Sequence, residues 1–132
     1  MATKRGMDKS VGELEAATCT LISRFISEVI GRGPRSVTAT LRGVTLVVLL
    51  EGVLTAAEER LVALPDERKS GCSMVRQMRD HIMRGACPKL IDELAGALGR
   101  TAAGMFHDTA PELDQEVFVF SLAREKRQPK LS

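Results

Sequence analysis

The sequence predicts an α+β fold: a single domain in the order α-β-β-α-β-β, with a four-stranded, largely antiparallel sheet and helices on one face. Three observations carry this. Two Ser/Thr-x-x-Glu capping boxes, at Ser10 and Thr55, each open a run of helical character. Strand-like alternation follows the first helix at 36–42 and returns at 116–122. Between them, residues 44–51 are apolar on both faces, as a central, covered strand must be.

Taken in order, Ser10-Val11-Gly12-Glu13 puts Ser at the N-cap and Glu three residues on. Val11, Leu14, Thr18, Leu21, Ile22, Phe25, Ile26 and Val29 then form one broad stripe, with Cys19 off its centre. Gly31 and Gly33-Pro34 stop this helix. In 36–42, Val37, Ala39 and Leu41 share one face and Thr38, Thr40 and Arg42 the other, a half-buried strand near an edge. Arg42-Gly43 supplies a tight turn. Val44, Leu46, Val48 and Leu50 then alternate with Val47 and Leu49. Thr55-Ala56-Ala57-Glu58 opens a helix to about Leu64, and Pro65-Asp66 and Ser70-Gly71 break the pattern. Helical spacing resumes at Met74, Met78, Ile82, Ala86, Leu90, Ile91, Leu94, Ala97 and Leu98. This is an amphipathic helix of roughly 25 residues, with Pro88 at a kink or boundary and Gly99 as its stop. Residues 100–107 are a weaker strand, 108–115 a polar loop, and 116–122 a strand with Phe118, Phe120 and Leu122 opposite Val117 and Val119.

The domain is therefore expected at 10–124, with a flexible leader at 1–9 and a basic tail at 125–132. The second and fourth strands belong in the middle of the sheet. Helices on one face leave Val47, Leu49, Val117 and Val119 on the other, which predicts a homodimer that covers them.

Composition narrows the function. Net charge is +2, and there is no Trp or Tyr and only four Phe, which makes nucleic acid an unlikely partner. Basic residues gather at the ends (Lys4, Arg5, Lys9, Arg124, Lys126, Arg127, Lys130), as solvated tails or as weak attractors of anionic lipid or nucleic acid. Cys19, Cys72 and Cys87 match neither a disulfide framework nor a zinc motif. Without a signal peptide the expected setting is the cytoplasm. The apolar run at 44–50 is far short of the ~20 residues of a membrane span.

No catalytic residue, metal site or cofactor is expected. His107 and Asp108 are neighbours on a strand and point to opposite faces. His81, next to Asp80, falls beside the long helix's stripe and is packed or solvated. Cys72 is the thiol expected to be most exposed. Met74, Met78 and Met83 fill the core, with a partner groove as the alternative. Arg32 and Arg35 bracket Gly33-Pro34. They either neutralise the preceding helix C-terminus or bind a small anion.

The run GRGPRSV, the hairpin after it and LEGVLTAAEERLV resemble the bacterial MpsC family, named after a Na+-translocating, membrane-potential-generating system. Pro88 before Leu90-Ile91-Asp92-Glu93-Leu94, and the closing Val117-Phe118-Val119-Phe120-Ser121-Leu122, fit the same layout. At 65–71 the chain departs from the family, whose members look more continuously helical there. The resemblance implies a non-enzymatic accessory or regulatory role in cation translocation or bicarbonate uptake, with a membrane transporter subunit as partner. It brings no catalytic residues with it. The alternatives are a small-anion or nucleotide-binding regulatory module using Arg32 and Arg35, and a nucleic-acid-binding protein.

Overall fold

The computed structural model describes residues 9–124; the leader (apart from Lys9) and the tail at 125–132 lie outside them. The elements are α1 (Val11–Ile30), β1 (Ser36–Arg42), β2 (Thr45–Glu51), α2 (Ala56–Ala63), α3 (Ser70–Leu98), β3 (Ala102–Ala110), a 3-10 turn (Pro111–Leu113) and β4 (Gln115–Leu122). The helical region between the two hairpins, counted as one element in the expected order, is the two segments read on either side of the 65–71 break, α2 and α3, packed on each other.

Both capping boxes form. Ser10 Oγ accepts from the Glu13 N–H at 3.1 Å, and Glu13 Oε1 accepts from the Ser10 N–H at 2.8 Å. Thr55 and Glu58 repeat the arrangement at the start of α2. The stripe of α1 buries Thr18, Leu21, Ile22, Phe25 and Ile26. Gly31 ends α1 with φ +96°, a left-handed conformation that only glycine adopts without strain.

The sheet order is β1-β2-β4-β3, antiparallel throughout, with the two-sided strands β2 and β4 in the middle as expected. The β1–β2 turn falls on Gly43-Val44 rather than Arg42-Gly43, so β2 begins at Thr45. Leu46, Val48 and Leu50 of β2 and Phe118, Phe120 and Leu122 of β4 point inward and are buried. The Phe118 and Phe120 rings stack with centroids 6.0 Å apart. α1 packs across β1 and α3 across β3, and the two helices meet over the middle of this inner face.

Three expectations need correction. First, α3 begins at Ser70 and runs unbroken through Pro88, which neither divides nor bounds it. Its buried stripe is Val75, Arg79, Met83, Leu90, Leu94 and Leu98. Met74 and Met78 are exposed, and only Met83 of the three methionines fills the core. Second, β3 extends to Ala110, so His107 lies within a strand and not at its end. Third, the loop expected at 108–115 shrinks to the Pro111–Leu113 turn and Asp114, which takes φ +55°. Physical reasons for these departures lie in the site described next.

Candidate functional site

Two features stand out: an uncovered sheet face and a charged cluster under the sheet. The strand registers lay the uncovered face out as rows across four strands. One central row is Thr38, Leu49, Val117 and Asp108; the next is Thr40, Val47, Val119 and Phe106. One end row is Ser36, Glu51, Gln115 and Ala110, and the other is Arg42, Thr45, Ser121 and Gly104. The four residues singled out from sequence, Val47, Leu49, Val117 and Val119, therefore meet as one apolar square at the centre. Phe106, which the sequence reading passed over, extends it at the β3 edge and is 67% exposed. Beside Phe106 the face is hollowed to about 360 Å³, between Leu49, Val117, Gln115, Ala110 and the Arg76–Asp108 pair. Arg76 reaches from α3 around the β3 edge to grip Asp108 with two hydrogen bonds of 2.7 and 2.5 Å. The Arg76 guanidinium holds the Asp108 carboxyl below the usual carboxylate range.

Beneath the sheet, Arg79 of α3 is fully buried. Its Nε and Nη2 donate to Glu58 of α2 at 2.9 and 2.6 Å, Nη1 donates to Glu116 of β4 at 2.9 Å, and Nη2 also donates to the Val53 carbonyl at 2.7 Å. Burial disfavours charge on both Arg79 and Glu58, but their mutual pairing outweighs it. The Glu58 carboxyl is lowered and the Arg79 guanidinium raised from their ordinary values. Glu116 is shared: its second oxygen lies 2.6 Å from His107 Nε2 and accepts from Thr109 Oγ1 at 3.2 Å. His107 Nδ1 lies 3.3 Å from Asp80, whose carboxyl is held low first by the Arg84 hydrogen bond.

The chemistry of this cluster follows from donors and acceptors. An ionised carboxylate only accepts, and a neutral imidazole has one donor nitrogen. Both His107 nitrogens face carboxylate oxygens, so both contacts are hydrogen bonds only with a second proton, on the ring or on a carboxyl. The cluster joins α2, α3, β3 and β4 as a clasp, with the Arg79, Glu116 and His107 side chains buried and its Asp80 end on the surface.

The sequence reading took Glu58 only as a capping residue and singled out neither Arg79 nor Glu116, although a signal marks each of these two. Arg79 falls on the same face of α3 as Val75 and Met83 at four-residue spacing. Glu116 shares the inward phase of Phe118, Phe120 and Leu122. A lone charge in an apolar frame calls for a buried counter-charge.

Arg32 and Arg35 do not converge on one point. Arg32 Nη1 donates to the Leu54 carbonyl. Arg35 lies over Gly52 (φ +68°) and pairs at 3.5 Å with Asp114. Asp114 in turn accepts from the Val53 and Leu54 N–H groups at 2.8 and 2.9 Å. The GRGPR turn thus ties the end of α1 to the exit of β2. Arg35 also borders a cleft between α1 and β1 that holds Arg24 and the hydroxyls of Thr20, Ser23, Ser27 and Ser36. His81 is solvated, and Cys19, Cys72 and Cys87 are all half-buried and free. Among the described residues no three His, Cys, Asp or Glu side chains are grouped to hold a metal ion. Among them, too, no helix is long and apolar enough to cross a membrane.

Comparison with known proteins places this architecture. The Bacillus subtilis (strain 168) protein YbcI, itself uncharacterized, is 25% identical over 119 residues, which cover 90% of this chain and 93% of the relative. No solved structure matches. The family model described as "Na+-translocating membrane potential-generating system (MpsC)" matches residues 10–124, the whole domain as bounded by the first capping box and the last strand; the chain belongs to the MpsC family.

Proposed function

We propose that this chain is a non-enzymatic accessory or regulatory protein of a cation-translocating or bicarbonate-uptake membrane system. It works from the cytoplasmic side, by protein contact with a membrane transporter subunit. The family match over 10–124 carries this reading. The uncovered apolar face supports it, because an apolar patch at the centre of an open sheet marks an interaction surface. Two copies pair through that face, and the outward Met74 and Met78, four apart on α3, offer an adaptable second surface to the membrane partner.

The test is a strain lacking this chain, in which Na+ efflux and membrane potential are followed with a voltage-sensitive dye. Loss of Na+-dependent potential with the membrane subunits still present is the expected result. Unchanged efflux and potential refute the role.

A second reading is favoured by the cleft of Arg24, Arg35 and four hydroxyls, which suits a small oxyanion. A thermal shift with millimolar bicarbonate or phosphate, lost in Arg35→Ala, supports it. The absence of any shift removes it.

A further inference from the structure

We propose that the uncovered face pairs with a second copy about one particular two-fold axis, in the plane of the interface and running across the strands, with Phe106 of each copy seated in the hollow beside Arg76 and Asp108 of the other. This rests on the self-association proposed above and deepens it to a geometry.

Two face-to-face arrangements keep the strands aligned, as stacked sheets prefer. An axis along the strands lays β1 over β3 of the second copy. An axis across the strands, midway between the two central rows, keeps β1 over β1 and β3 over β3 and exchanges the rows. Shape selects the second. Phe106 stands out from the row of Thr40, Val47 and Val119, while the hollow lies in the adjoining rows of the same strand pair. Exchanging rows brings each Phe106 onto the Asp108 position, at the mouth of the hollow. There its ring meets the flat Arg76–Asp108 fork, a surface on which an aromatic face stacks favourably. The same operation sets Val47 over Leu49 and Val119 over Val117, branched side chains against branched side chains. An axis along the strands instead places Phe106 over Thr40 and leaves the hollow empty.

Charge selects the same axis. Arg42 stands in one end row and Glu51 in the other, on adjacent strands. Exchanging rows brings each Arg42 within a strand's width of Glu51 from the second copy, twice by symmetry. An axis along the strands instead sets each Arg42 over Gly104 of the second copy, at the opposite end of the face from either Glu51. The remaining outer-column partners are neutral: Gly104 with Ala110, and Thr38 with Thr40, which can donate and accept across the pair. A face four strands wide and seven residues long measures roughly 19 by 23 Å before side-chain relief. That is a flat footprint of about 440 Å² per partner, roughly half of the about 800 Å² of a standard interface, the size of a weak, concentration-dependent pair.

The experiment is sedimentation equilibrium of the full chain from 1 to several hundred micromolar, with circular dichroism to confirm folding. The variants are Phe106→Asp, Arg42→Glu, Glu51→Arg, and Arg42→Glu with Glu51→Arg. All three positions are exposed, so folding is expected to survive. The parent is expected to dimerise and Phe106→Asp to be monomeric throughout. Each single charge reversal is expected to raise the dimer Kd about 3- to 10-fold, and the double reversal to restore it to within about 3-fold. A monomeric parent at several hundred micromolar overturns self-association itself. A dimeric parent with an equally dimeric Phe106→Asp leaves self-association standing and overturns this geometry. An Arg42→Glu that dimerises as well as or better than the parent does the same, in favour of the axis along the strands.

Discussion

Replacing Arg79 with methionine keeps much of the side-chain volume and removes the guanidinium that bridges Glu58 and Glu116. The parent side chain makes four hydrogen bonds of 2.6–2.9 Å, three to the two carboxylates and one to the Val53 carbonyl. Glu116 is fully buried and Glu58 nearly so. Breaking a buried ion pair from one side costs about 3–5 kcal/mol, because the remaining charge has neither water nor a partner. A domain of this size holds about 5–15 kcal/mol in all, so a third or more of its stability is at stake. In urea, with a slope near 2 kcal/mol/M, the midpoint falls by about 2 M. The chain has no Trp or Tyr, so far-ultraviolet circular dichroism is the readout. Arg79→Met with Glu58→Gln and Glu116→Gln removes all three charges while keeping amide donors and acceptors. It is expected to regain all but about 1–2 kcal/mol, since an uncharged replacement of a buried triad is often near neutral. A single variant within 0.5 kcal/mol of the parent refutes the clasp, and a triple variant as damaged as the single one refutes its electrostatic origin.

Three further outcomes follow from the same structure. Gly71→Ala places a Cβ against the Leu61 carbonyl, with the Leu61 carbonyl carbon 2.7 Å away, so α2 and α3 must part; chemical denaturation should show a loss of about 1–3 kcal/mol. Asp114→Ala orphans the Val53 and Leu54 N–H groups and leaves a side chain at φ +55°; a loss of about 2–3 kcal/mol is expected in the same assay, and Asp114→Asn should retain more, as Asn tolerates that backbone and still accepts. In acid, the lowered Glu58 and Asp108 carboxyls give stability that is complete above the unfolded carboxylate value and lost as pH falls through the lower folded value. Thermal melts should therefore decline below about pH 4, and 1 M NaCl should soften only the Asp108 share, which is solvent-exposed.

Much of the fold was legible because local chemistry and tertiary need agreed. Both capping boxes, β1 and the central places of β2 and β4 follow from spacing alone. The misses share one cause, the buried charges. In α3 the true stripe passes through Arg79, so a search for apolar residues locks onto Met74 and Met78, one position earlier on the helix. In β3 the inward positions are Met105, His107 and Thr109 and an outward one is Phe106, so polarity runs against burial and hides the strand's second half. At the open face the four central residues were legible from alternation. Phe106 and its hollow were not, since they depend on which strand stands beside β4.

The strand order carries a consequence for how the chain folds. β1 with β2, and β3 with β4, close through short turns, but the seam between β2 and β4 joins residues no nearer in the chain than Glu51 and Gln115, 64 positions apart. Loop-closure entropy makes that seam the slow step, and α2 and α3 are the loop that must close. Arg79 rides on that loop and touches Val53 just past β2 on one side and Glu116 of β4 on the other. The clasp can engage only once both hairpins have met. Refolding kinetics should accordingly give Arg79→Lys a φ-value near zero, with its cost appearing as faster unfolding; a φ-value near one would mean that the clasp guides the hairpins together. On this account the buried charges act as a latch on the finished sheet, setting how long it stays closed.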